Sequence, residues 1–468
     1  MKRIFAFLVI ALLVLLMGCQ ARLEQLRPPL VHDGEVYAYM EPFPRGAGRL
    51  EFSLGAVYAI AGNGVLIPIG LRMPRFTQGL DSRQRLAAWG VLPPGPYSGL
   101  AFKVKHASLN LAEGGEASLL VPKKPFIVAF PFNVPVKGAT VISMRLSYAD
   151  AVKGVTFSPE FDLRIPVKPV DALLGYAVNY GSNDITIFDK AAMEATGAIP
   201  TGAGPVCMVV DRNLERGYVS LSREDAIQVI DLVTGEIIGL IRLNPGDSPH
   251  GLALTPDGKT LFAANSGSNT VSVIDPVSYM ERSRIQVGTQ PEFITLDRPA
   301  ERAWVFNYFS NSISVIDISS NAVIATINTD LAPLMGVFNR TGNRLYILNG
   351  GSAYLTAIDP ATFATVQKQY AGPGMRAIKV DTNTDLIYVG KEGDPYIEIY
   401  NPFTMMPMDY IKAGNEPGYI TIDGDENNLC VADSGENALF FINLASRKID
   451  SRIDVGKDPV WVALVGER

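Results

Sequence analysis

The sequence predicts an all-β chain, an N-terminal antiparallel β-sandwich followed by a seven-bladed β-propeller closed by pairing of its C-terminal strand with the first blade. Three observations lead there. The first lies between residues 249 and 287, where Gly251 to Thr255, Thr260 to Asn265 and Thr270 to Asp275 are short apolar, β-branched runs, and Met280 to Val287 is a fourth. Pro256-Asp257-Gly258 separates the first two with a preset φ, a capping side chain and a residue free to take positive φ. Four antiparallel strands in about forty residues make one blade, and a blade cannot bury both of its faces alone. The second is a repeat in phase over the C-terminal part of the chain. The third is the near absence of helical periodicity: only Asp81 to Trp89 has the spacing of a short helix.

The repeat is read from the residue that ends each third strand: Asp189, Asp231, Asp275, Asp317, Asp359, Asn401 and Asn443. They are 42 residues apart except for one interval of 44, where extra loop residues lie around Asn244 to Asp247. After each mark, in phase, come Pro205, Pro249, Pro291, Pro333, Met375, Pro417 and Pro459. Ten residues before each mark are Asn179, Leu221, Asn265, Asn307, Asn349, Lys391 and Asp433. The asparagines are expected to form turns by bonding nearby backbone. The best copies, FAANSGSNTVSVID from Phe262 and VFNYFSNSISVID from Val305, resemble the YVTN-type β-propeller repeat of bacterial and archaeal surface and periplasmic proteins. The resemblance runs from about Leu173 to the C-terminus. It implies a fold and no activity, since the family ranges from binding scaffolds to a few enzymes.

Along the chain, Met1 to Gly18 reads as a secretory leader with Lys2-Arg3 ahead of the apolar run Ile4 to Met17. Leu16-Met17-Gly18-Cys19 resembles a bacterial lipobox, which implies lipidation of Cys19 and a membrane anchor. Gln20 stands where an inner-membrane retention Asp would sit, so the resemblance implies the outer membrane, on its periplasmic side or at the cell surface. Residues 19–30 are the tether, 31–170 the sandwich domain and 171–468 the propeller. The sandwich is read from alternating runs such as Val36 to Met40, Arg49 to Leu54, Phe126 to Phe132 and Thr140 to Leu146, punctuated by Pro93-Pro94-Gly95-Pro96. The segment WGVLPPGPYSGLAFKV from Trp89 resembles an N-terminal β-domain of unknown function in bacterial lipoproteins. The propeller begins out of phase: Leu173 to Val178 matches a second strand, and Pro459 to Val465 matches a first. Those two segments must therefore share a blade.

Formal net charge is −6, and no Lys/Arg run exceeds a pair, which excludes a nucleic-acid footprint. With three histidines and no metal or haem motif, neither a metal nor a cofactor is expected. Cys207 and Cys430 fall in strands of blades separated by one full blade and read as buried free thiols. Met405, Met406 and Met408 read as gap-filling core.

The residues following the phased proline are Val206, His250, Glu292, Leu334, Arg376, Gly418 and Val460. His250, Glu292 and Arg376 are thus placed at one height around the channel mouth. A histidine, a carboxylate and a guanidinium in one space suit an anionic ligand or acid/base chemistry, and equally read as rim groups that pair with one another. Tyr308 and Phe309, in a mouth-side loop, offer a stacking surface for a saccharide or protein, or pack on the next blade. The reading is a lipid-anchored envelope binding or assembly module. The alternative is an envelope enzyme or cofactor-handling propeller with a polar mouth.

Overall fold

The computed structural model describes residues 26–44, 46–77, 84–111, 114–170, 173–424, 427–465 and 467. The leader Met1 to Gly18, the lipid acceptor Cys19 and most of the tether lie outside these residues. The chain is nearly all β: an N-terminal curled sheet and a seven-bladed propeller.

Each blade is a four-stranded antiparallel sheet, and six of the seven are built from consecutive strands. In the blade Pro249–Leu254, Leu261–Asn265, Thr270–Asp275 and Met280–Gln286, the second strand is buried throughout and the fourth is mostly open to solvent. Neighbouring blades cover both faces of the middle strands, which is why these read as continuous apolar runs, while the outermost strand alternates.

The phased Asp or Asn at the end of each third strand is a turn cap. Asp275 Oδ1 accepts the backbone N–H groups of Val277 and Ser278 at 2.9 and 3.2 Å. Asp189, Asp231, Asn401 and Asn443 repeat the arrangement. The phased asparagines of the second strands depart from expectation. Asn265 is fully buried and its amide donates to Thr270 Oγ1 at 3.0 Å and Ser272 Oγ at 2.8 Å. Asn307 does the same with Ser312 and Ser314. They therefore tie second strand to third through side chains. In a site closed by two blades, the third strand already occupies the nearby backbone groups, so a hydroxyl is the partner left.

A further set was not anticipated. Asn183, Asn269, Asn311 and Asn437 take positive φ in the loop between second and third strands. Each Oδ1 accepts a backbone N–H, from Gly204, Gln290, Ala332 and Asp458 respectively, all at 2.8 Å. These bonds fix the loop that carries the chain to the next blade.

The ring closes as the phase requires. Pro459–Leu464 pairs antiparallel with Leu174–Asn179, with Gly175 opposite Leu464 and Val178 opposite Trp461. Lys190 reinforces the seam. Its ammonium is wholly buried, 2.9 Å from Asp423 Oδ1 of the last blade and 2.6 Å from the Val465 carbonyl. One cation thus joins first blade, last blade and C-terminal strand.

The N-terminal region is one ten-stranded sheet curled upon itself, with a parallel pair where the sequence suggested antiparallel pairing throughout. Eight of its strands run in the order Phe161–Arg164, Ala139–Leu146, Gly34–Met40, Arg85–Leu92, Leu66–Leu71, Leu50–Ala61, Gly95–Asn110 and Glu116–Ser118, while Arg75–Phe76 pairs with Leu50–Ala61 and Phe126–Val134 with Gly95–Asn110. Gly34–Met40 and Ala139–Leu146 are parallel. The predicted run Arg49 to Leu54 is part of a longer strand, Leu50–Ala61, bent by register shifts at Ser53, Leu54 and Ile60. Bending brings the sheet's ends face to face, so that Phe161 lies 4.8 Å from Phe102 and 6.4 Å from Phe52. The helix expected over Asp81 to Trp89 does not form. Arg85–Leu92 is a strand bonded on both edges, and that pairing overrides its local spacing; 81–83 lie outside the described residues.

The curled sheet packs along the first and last blades. Tyr37, Tyr39 and Leu86 share one core with Phe188 and Phe441. Asp454 accepts from Arg85 Nε at 2.8 Å and from the Leu86 N–H at 3.0 Å, and its carbonyl accepts from Tyr39 at 3.1 Å. Between the sheets Arg27 meets two fully buried carboxyls, Glu35 and Asp184. Burial, with the Asp184 charge added, outweighs Arg27 and pushes the Glu35 carboxyl up to about 8.

Closure makes a prediction. Deleting Pro459–Leu464 and the residues after it should abolish cooperative unfolding, and Lys190→Met, which leaves Asp423 without that cation, should cost about 3–5 kcal/mol. Differential scanning calorimetry checks both. An unchanged melting profile in either variant refutes the seam as the ring's keystone.

Candidate functional site

The seven residues that follow the phased position do converge. Val206, His250, Glu292, Leu334, Arg376, Gly418 and Val460 all line one cup of about 310 Å³ at the channel mouth. Each opens an innermost strand, where the chain turns from the rim into the blade. Position in the repeat alone therefore places them at one height.

Of His250, Glu292 and Arg376, only the first two meet. His250 Nδ1 lies 2.5 Å from Glu292 Oε2, and the Gln290 amide donates to the other Glu292 oxygen. Both side chains are mostly withdrawn from water. Burial acts most strongly on the Glu292 carboxyl and would raise it. The hydrogen bond and charge of His250, with the Gln290 bond, hold it below the usual carboxylate range instead. Arg376 does not join them. Its guanidinium is 54 % exposed and 3.8 Å from Glu392, which is 67 % exposed. An exposed pair at that separation holds its partners weakly. The cup thus has a fixed His–carboxylate pair on one side and an available guanidinium on the other.

Below the rim the channel is blocked. Phe293, Met335, Tyr419 and Trp461 line the cup and also a cavity of about 650 Å³ that opens on the opposite face. The rings of Tyr419 and Trp461 are 4.2 Å apart, and Phe293 is 6.2 Å from Trp461. Trp461 Nε1–H donates to the Met208 carbonyl at 2.9 Å, which fixes the indole. These four residues stand one step beyond Glu292, Leu334, Gly418 and Val460 in the same phase. That signal was present in the sequence and went unread, as did Glu392, Glu416 and Asp458, which complete the acidic part of the rim.

Tyr308 and Phe309 are not among the cup's lining residues. Their rings contact each other at 5.3 Å, and Phe309 stands out into solvent. Of the three methionines read as core, only Met405 is buried; Met406 and Met408 are exposed. Their segment lies at the outer edge of its blade, where no neighbour covers it. Cys207 and Cys430 are free and buried. Burial pushes the Cys207 thiol up to about 12 and raises Cys430 as well, so neither forms a thiolate readily. Among the described residues no cluster of His, Cys, Asp and Glu has the arrangement of a metal site.

Fold and cup together define a seven-bladed β-propeller with a polar mouth over an aromatic floor. No protein-family model matches the chain, and no curated protein matches it. Solved structures do. One is a functionally unknown protein from Desulfotomaculum acetoxidans, at 13 % identity and TM-score 0.54, with 62 % of this chain and 98 % of that chain covered. Another is the dihydro-heme d1 dehydrogenase NirN in complex with DHE, at 13 % identity and TM-score 0.52, covering 65 % and 77 %. Kuenenia stuttgartiensis hydrazine synthase matches at 18 % identity and TM-score 0.49, covering 55 % and 88 %. At these identities the likeness is one of fold.

The His250–Glu292 pair has a pH signature. A carboxyl depressed in the folded state adds stability above the usual glutamate range and loses it as pH falls through the lowered value. His250→Ala should raise the Glu292 carboxyl and shrink that acid-side loss. Thermal unfolding scanned from about pH 3 to 6 measures it; identical pH profiles for parent and variant refute the coupling.

Proposed function

We propose that this chain is a lipid-anchored binding module of the cell envelope, with a YVTN-type propeller as its scaffold and the mouth cup as its ligand site. The observation that carries the reading is the cup's division of labour. An aromatic floor closes the channel, His250 and Glu292 satisfy one another, and Arg376 remains open to solvent. Such a site takes a small ligand with an apolar or aromatic body and an anionic end, the body on Tyr419 and Trp461 and the anion on Arg376. Rim acids Glu392, Glu416 and Asp458 reject a second negative charge.

One observation favours an enzyme as the second reading: a histidine oriented by a half-buried carboxylate is the arrangement of a general base with its positioning group. Some neighbours of the fold are enzymes, NirN among them. The two readings separate by turnover: a binding module returns its ligand unchanged.

Titration with phenylacetate, followed by Trp461 emission, tests the site. Arg376→Ala should weaken binding roughly tenfold, rising salt should weaken it for the parent, and Lys379→Ala on the opposite face should do neither. Equal affinity for parent and Arg376→Ala refutes the mouth as an anion site.

The anchor has its own test. Cys19→Ala should leave the chain unlipidated, in the soluble or unprocessed fraction. Among the described residues no helix is long and apolar enough to cross a membrane. A processed Cys19→Ala protein that stays with the membrane refutes lipidation at Cys19.

A further inference from the structure

Two features outside the cup lie on the same face of the propeller. The first is where the tether enters. The Arg27 N–H donates to the Gly181 carbonyl at 3.3 Å, and the Asn183 amide donates to the Arg27 carbonyl. Gly181 and Asn183 belong to the loop between the second and third strands of the first blade. That loop is bonded to the cup's rim through Tyr180 N–H to the Asp458 carbonyl and Gly181 N–H to the Lys457 carbonyl, both at 2.9 Å. The Arg27 side chain is held still more firmly. Its guanidinium contacts Glu35, lies 3.8 Å from Asp184 and sits 4.8 Å from the centre of the Trp89 ring. The described chain therefore begins at the mouth face, beside the rim. Seven residues lie between Cys19 and Arg27, a span of at most about 28 Å over the eight steps.

The second feature is an uncovered apolar shoulder. Phe309, Leu331, Tyr354, Tyr370, Tyr396 and Tyr410 are between 38 and 66 % exposed. Phe309 and Leu331 are in mouth-side loops; Tyr354 and Tyr396 begin third strands, and Tyr370 and Tyr410 lie at or near the ends of fourth strands. All six therefore lie toward the mouth face, on three consecutive blades, none of them the first or last blade along which the curled sheet packs. Tyr354 packs edge-on against Tyr370 at 5.7 Å and Tyr396 against Tyr410 at 5.3 Å, which leaves their outer faces and hydroxyls open. Two ion pairs lie among them, Asp330 with Lys368 and Glu398 with Lys391, each at 2.6 Å; one further charge of each sign, Lys412 opposite Tyr396 and Asp394 beside it, lies there too.

We infer that this shoulder rests on the lipid surface, so that the mouth faces the membrane and its ligand is one presented there. The inference rests on lipidation of Cys19. Tyrosine suits that depth, with a ring that enters the acyl boundary and a hydroxyl that stays with the headgroups. A short strap at one edge and a tyrosine-rich shoulder at the other give two contacts with one plane. The shoulder carries no excess of positive charge, so the attachment rests on its exposed rings and zwitterionic lipid suffices for it.

The experiment uses the lipidated full chain in phosphatidylcholine vesicles containing tail-brominated lipid. Tyr370→Trp places a reporter on the shoulder; Phe403→Trp places one in an exposed turn on the opposite face. After subtraction of the parent signal, emission from the first is expected to shift to the blue and be quenched, and emission from the second to stay unchanged. Arg27→Ala should keep the chain on the vesicles and lose most of the shoulder quenching. Equal quenching at both positions, or none at the shoulder, overturns the orientation while the anchor stands. If the parent floats with vesicles no better than Cys19→Ala, the anchor reading fails and the orientation with it.

Discussion

Everything in this structure follows from one constraint: a four-stranded blade has two apolar faces and can cover neither. Leu261–Asn265 and Thr270–Asp275 hold almost no polar surface to offer water, so each blade is stable only between two others. A linear stack would leave its end blades bare, with open strand edges. Seven blades curved into a ring leave none, provided the ends are joined. The joint is made three times over, by the pairing of Pro459–Leu464 with the first blade, by the buried Lys190–Asp423 contact, and by the Lys190 bond to Val465. An ammonium taken wholly out of water is a costly way to hold a seam. It is sustained because the carboxylate and carbonyl are fixed by strands the ring already needs.

The ring also creates the site. Seven inner strands converge on an axis, and whatever side chains the phase places there must share one volume. Large residues at Phe293, Met335, Tyr419 and Trp461 fill it midway, which turns a tunnel into two separate cavities. Above that floor a polar group is only partly hydrated, so it must find a partner or be free to reach solvent. Glu292 takes the first course with His250 and Gln290, and Arg376 the second. The difference in exposure, more than residue type, separates the fixed pair from the available cation.

The N-terminal sheet is bound to this ring more closely than a linker between two domains would suggest. Tyr37 and Tyr39 belong to the same core as propeller residues, and Asp454 receives bonds from two strands of the curled sheet. Glu35, Asp184 and the one guanidinium between them sit where neither sheet alone would exclude water. The raised Glu35 carboxyl is the consequence: burial and the neighbouring Asp184 charge together outweigh the attraction of Arg27.

The repeat was legible because it is written in residues whose roles are local. Asp275 caps its own turn, Pro249 opens its own strand, and forty-two residues later the same turn and strand need the same chemistry. Phase then placed His250, Glu292 and Arg376 on one rim and required the last strand to join the first, before any contact was known. What phase does not specify is which neighbour a side chain meets. That Glu292 turns to His250 and leaves Arg376 to Glu392 depends on side-chain reach across blades, and so does the partnership of Lys190 with Asp423, 233 residues away. The N-terminal sheet, without a repeat, lost more. Its alternation identified strands, but Arg85–Leu92 became one only because strands on both sides supplied its hydrogen bonds. Local chemistry sets the element and its period; pairing across distant segments is decided by burial, which exists only once the chain has folded.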